Sequence, residues 1–318
     1  MQASKTLKLA IAAAATLLAP MLAGADLPHQ IWRSAHRGQP AAATPASSQY
    51  RFVNIDAPGA LETQAIGVNN TGQVTGFYID AAGNPHGFLW QNGGLQTVDY
   101  PGAPVTLLSA VTDWGLIIGS YGTSIPHAAT YNTHLATWTT LPDVPGRLGN
   151  VGRGINNSGV GAGSACNGNV DVALNCVGWT WDGGAYSFFT DPEADQTQLG
   201  TLANGINNIG QVVGQFQDAG SISHGFLKNG GSFTTIDVPA AVYTNATTIN
   251  DRGEIVGFYF DTTGTPHGFV RGSDGQFTTF DVPGAVETFL IGNDDRGDLC
   301  GFYVDQAGNP HGFVALRK

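Results

Sequence analysis

The chain has 318 residues, with 13 Lys+Arg against 24 Asp+Glu, a formal net charge of −11, and 45 glycines. So acidic a composition, with no basic cluster, argues against nucleic acid and anionic membrane surfaces as partners. Beyond the N-terminus no apolar stretch approaches membrane-spanning length, so no integral membrane segment is expected.

Lys5 and Lys8, the apolar run Leu9 to Leu22 and the small residues Ala23-Gly24-Ala25 follow one another in order. They predict a secretory signal peptide over 1–25, because the run is short and broken by Pro20. The product is then secreted or periplasmic. Residues 26–49 are rich in Ala, Pro, Ser and Gln without apolar periodicity and read as a flexible leader.

From Tyr50 to Lys318 one pattern returns six times, with departures in single units: an Asp-x-Pro-Gly-Ala turn, an Asn-Asn/Asp-x-Gly turn, a second Gly four residues on, then Pro-His-Gly-Phe. The turn glycines are Gly72, Gly115, Gly159, Gly210, Gly253 and Gly297, at steps of 43, 44, 51, 43 and 44 residues. A unit this small cannot bury its own apolar face and must stack on its copies, and the period is that of four-stranded propeller blades. In the first unit, strand A runs from Glu62 to Val68, B from Gln73 to Asp80, C from His86 to Gln91 and D from Leu95 to Tyr100. Gly72 closes the A–B turn with positive φ. No helix is expected.

The last unit supplies strands A, B and C and then stops, while Tyr50 to Asp56 matches the D strand Phe277 to Asp281. The expected fold is therefore all-β, a six-bladed β-propeller over 50–318 whose N-terminal strand completes the last blade. Cys166 and Cys176 are expected to form a disulfide in an exported chain. Cys300 stands where the other repeats carry Thr75, Ile118, Ala162, Val213 and Val256, and reads as a packed thiol.

Pro-His-Gly-Phe after Gly-Phe-Tyr-x-Asp, together with Ile-Asn-Asn/Asp-x-Gly, resembles the bacterial HAF-type extracellular repeat, named for a His-Ala-Phe triplet. Here that triplet stands as His86-Gly87-Phe88, His127-Ala128-Ala129, His224-Gly225-Phe226, His267-Gly268-Phe269 and His311-Gly312-Phe313, and the third unit departs with Val177-Gly178-Trp179. The resemblance implies an exported, β-propeller-like protein of largely unassigned role. It brings no catalytic residues.

Four units pair an Asp at the end of strand B with a His at the start of strand C: Asp80 and His86, Asp218 and His224, Asp261 and His267, Asp305 and His311. Two ligands per blade leave a zinc ion short of its usual three or four protein groups, so the pairs read as structural clasps rather than a metal ring. The Asp-x-Pro-Gly aspartates read as repeated turn acceptors. No nucleophile elbow or metal signature appears, and neither a catalytic residue nor a cofactor is expected. Function is sought where the repeat breaks, in units three and four, with Asp171, Trp179, Trp181, Glu193 and Asp195 as candidate ligand-binding residues. The reading is an exported, monomeric, non-catalytic propeller that binds a protein or polysaccharide. The alternative is a propeller enzyme, a lyase, lactonase or glycan-active hydrolase, with its site on the loop face.

Overall fold

The computed structural model describes residues 47–318 apart from 124 and 168–173. The expected signal peptide, the leader up to residue 46 and Asp171 lie outside the described residues. Residues 47–49 do not belong to a flexible leader: Ser47–Gln49 form a 3-10 turn, Ser47 is buried, and the amide of Lys318 donates to the Gln49 carbonyl at 3.0 Å.

The described strands form six four-stranded antiparallel sheets. In the first blade strand A is Glu62–Val68, B is Val74–Ile79, C is Pro85–Gln91 and D is Gly94–Thr97, each close to its sequence-derived bounds. Strand A is almost wholly buried and strand D almost wholly exposed, so A lines the axis and D forms the rim. The A strands of successive blades contact one another and blade six returns to blade one, closing the ring. The last blade is completed by Tyr50–Ile55, which pairs antiparallel with Pro310–Arg317 from Tyr50 opposite Arg317 to Ile55 opposite Gly312. The six turn glycines all have positive φ, from +75° to +86°, a region a Cβ disfavours.

The second glycine of the repeat has a different reason. Gly76, Gly119, Gly163, Gly214, Gly257 and Gly301 each sit opposite the last strand-A residue before a β-bulge. A Cβ there would lie only 1.9–2.2 Å from a strand-A carbonyl oxygen. The aromatic ring of His-Gly-Phe covers the space left: Phe88, Phe226 and Phe269 are fully buried, with ring atoms within 2.9 Å of where that Cβ would be. Gly and Phe are thus one packing unit, repeated from blade to blade.

Cys166 and Cys176 are bridged, and Cys300 is free and buried. Burial pushes the Cys300 thiol pKa far up, consistent with an inert core position.

Candidate functional site

The D–A and B–C connections share one end of the propeller, and there each repeated histidine is held from two sides. His86 Nδ1 lies 2.7 Å from Asp99 and its Nε2 3.4 Å from Asp80. The same pattern joins His224 to Asp237 and Asp218, His267 to Asp281 and Asp261, and His311 to Asp56 and Asp305. His127, whose blade lacks the B–C aspartate, keeps only Asp143, at 2.8 Å. An aromatic ring of strand B stacks on each imidazole, as Tyr78 does on His86 at 5.2 Å. The shorter contact is therefore with the Asp-x-Pro-Gly aspartate, 13 residues on, rather than with the partner six residues back. With both ring nitrogens engaged, these histidines tie the D–A loop to the B–C loop.

Burial disfavours the charged rings of His86, His224 and His311, but the bonds and charges of two carboxylates outweigh it and their pKa values rise. At His267 the Asp281 bond is the largest cause, also raising the value. Folded values above the unfolded 6.5 mean that this stabilisation is complete below about pH 6.5 and fades as pH rises through the folded values. The opposite sign holds at Asp305 and Asp80. Backbone bonding from Asn309 leads at Asp305, while at Asp80 bonds from Asn84 and His86 overcome burial; both carboxyls are lowered to about 2, so their contribution is lost as pH falls from 3.8 toward 2. The melting temperature is accordingly expected to fall between pH 6 and 9. A variant with His86, His224, His267 and His311 all changed to Gln should lose that slope, and His267→Ala alone should cost about 1–3 kcal/mol, because it strands the buried Asp281. An unchanged slope in the Gln variant would contradict the clasp.

Blade three lacks this histidine, having Val177 in its place. Asp191 is consequently left 3% exposed with Oδ2 unpartnered, and burial raises its pKa.

The candidate residues of the irregular units do not form one surface. Trp179 is fully buried and packs over Gly163 in the place of the repeat phenylalanine, which corrects its expected exposure. Trp181 is half-buried against Tyr186 at 4.5 Å, opposite Gly161 at the far end of strand C. Five extended residues put it about 16 Å from the disulfide. Glu193 accepts from the Thr235 hydroxyl at 3.2 Å, and Asp195 caps its own turn through Thr197. What does come together is backbone: the Asn175 and Cys176 amides donate to the Gln198 and Leu199 carbonyls, and the Leu148 amide to the Cys166 carbonyl. The two bridged ends of the Cys166–Cys176 segment, the insertion and the connection from blade two into blade three thus come together. Ile125 and Leu148 stand beside them, 48% and 57% exposed.

At the opposite end lies a site that sequence reading missed. The bulge in each strand A turns one residue toward the axis: Ile66, Ser109, Arg153, Asn204, Thr247 and Ile291, all lining one cavity of about 100 Å³. Its mouth is a closed hydrogen-bonded ring. The amide of Asn70 donates to Asp113 Oδ1, Asp113 to Asn157, Asn157 to Asn208, Asn208 to Asp251, Asp251 to Asp295, and Asp295 back to Asn70, at 2.7–2.9 Å. The signal was present as the second Asn/Asp of every A–B turn, but only ring closure shows what it bonds.

No protein-family model and no curated protein matches the sequence. Among solved structures, TolB from Acinetobacter baumannii has a TM-score of 0.53 at 13% identity over 77% of this chain, which spans 63% of that protein's length. AofleA from Arthrobotrys oligospora has 0.52 at 14% identity, covering 87% of this chain and 90% of that one. The Aleuria aurantia lectin, solved with Fucalpha1-6GlcNAc, has 0.50 at 10% identity, covering 81% and 97%. At these identities the likeness shows the propeller fold alone.

Proposed function

We propose that this chain is an exported, non-catalytic propeller of HAF-type repeats that docks a protein partner on the D–A/B–C end of blades two and three. The carrying observation is the pair of exposed aliphatic side chains, Ile125 and Leu148, set beside the disulfide-bridged loop. Exposed apolar groups beside a cross-linked pair of strands match a protein interface better than a free surface. Export is supported by the N-terminal pattern and by the disulfide, which suits an oxidising compartment. Both nitrogens of four of the five repeated histidines are engaged, His127 being held through Nδ1 alone, which favours binding over acid–base chemistry at those four.

A polysaccharide reading rests on one feature, the half-buried stack of Tyr100 on Tyr121 at 3.6 Å with Trp138 at 5.2 Å, since aromatic edges and faces suit sugars. Cross-linking in an envelope extract, beside a glycan array, tests both. The double variant Ile125→Asp/Leu148→Asp is expected to keep the parental melting temperature and lose the cross-linked partner, with glycan signals unchanged. Equal cross-linking by parent and variant would discard the protein reading, and glycan binding abolished by Tyr100→Ala would replace it.

A further inference from the structure

Five of the six bulge residues that face the channel are uncharged, and the sixth is Arg153. It is 6% exposed, and among the described residues its guanidinium makes no hydrogen bond or ion pair, with Nε closed off from solvent. Burial lowers its pKa to about 10, so it remains charged at neutral pH. The titratable group that acts on its charge is Tyr243, itself buried and donating to Gln215 at 2.6 Å. A desolvated permanent cation is unfavourable without a counter-charge, and its planar fork fits a carboxylate.

Two further residues of the cavity lining carry a buried side-chain amide. Asn204 is held by its amide nitrogen to Asn245 and Asn293 by its amide nitrogen to the Glu254 carbonyl, leaving the Oδ1 of each unpartnered. At the mouth the ring carries three carboxylates in unlike settings. Asp113 sits between Asn70 and Asn157, and both amide groups donate to its Oδ2. Asp251 and Asp295 are ring neighbours joined by the Asp251 backbone amide with no Asn side chain between them, and each Oδ2 takes a single Asn donor. Asp294, the other acid lining the cavity, is occupied by Arg296 at 3.2 Å.

A simple anion meets like charge at Asp251 and Asp295 before it reaches Arg153, and a simple cation meets Arg153 inside. We infer that the channel is a receptor for a small zwitterion, whose carboxylate pairs with Arg153 and whose ammonium is taken by the Asp251/Asp295 carboxylates at the mouth. The cavity admits a ligand of only several heavy atoms. It opens at the end opposite the proposed docking face, so either reading can fail without the other.

Calorimetry and thermal shift at matched ionic strength, with glycine, β-alanine and γ-aminobutyrate as probes and acetate and methylammonium as controls, provide the test. At least one zwitterion is expected to bind the parent and raise its melting temperature, more than either control. Arg153→Met should weaken it at least ~tenfold. Asp251→Asn/Asp295→Asn keeps the ring, since Asn already fills three of its other four positions. That variant should weaken the zwitterion and strengthen acetate, and it serves even if Arg153→Met does not fold. Binding by none of the zwitterions, acetate binding as well as they do in the parent, or affinities unmoved by either variant would overturn the inference.

Discussion

Removal of residues 50–57 should abolish cooperative unfolding at the parental temperature, whereas a chain cut after residue 46 should melt with the parent. The excised strand supplies six register pairs to the last blade. It also carries Ile55, 1% exposed, and Phe52, whose ring lies 5.9 Å from Phe280 and 6.0 Å from Phe313. Asp56, which holds His311 Nδ1 at 3.1 Å, leaves with it. Full burial of a side chain of this size contributes about 1.5–3 kcal/mol, so the buried Ile55 with the half-buried Phe52 and Val53 supplies a sum near the lower end of the 5–15 kcal/mol typical of a whole domain. The loss is compounded by the edge it opens on Pro310–Arg317, which then offers unpaired amides and carbonyls to other chains. Circular dichroism melts of the two truncations decide the matter. Equal tolerance of both would show that the ring is not closed by this strand.

Gly257→Ala should be among the most damaging single substitutions in the protein, on the order of 3 kcal/mol or more. Its Cβ would stand 2.0 Å from the Asn245 carbonyl oxygen and 2.8 Å from the Phe269 ring. Neither neighbour can yield, since the carbonyl belongs to a fully paired inner strand and the ring is completely buried. Gly231→Ala is the control: nothing lies within 4 Å of its Cβ position and its φ is not positive, so a change within about 0.5 kcal/mol is expected. Urea midpoints of the two variants measure the contrast. If Gly257→Ala were as mild as Gly231→Ala, the packing account of the second repeat glycine would be wrong.

Six turn glycines at near-constant steps, the strand-forming stretches between them, and a D-like segment at Tyr50 matching one missing after Leu316 determined the blade count, the strand bounds and the closure. These were readable because each depends on chain-local chemistry, a turn or an alternation, copied six times. The Cys166–Cys176 bridge was readable for the same reason, its partners being ten residues apart. Only the tertiary structure decided which aspartate holds each histidine, because that partner reaches across the sheet from 13 to 16 residues away, or from 255 in the closing blade. It also decided that Trp179 fills the core and that Arg153 stands alone in the channel. A bulge reverses the side on which a residue projects, and that reversal depends on cross-strand register rather than on the identity of the residue.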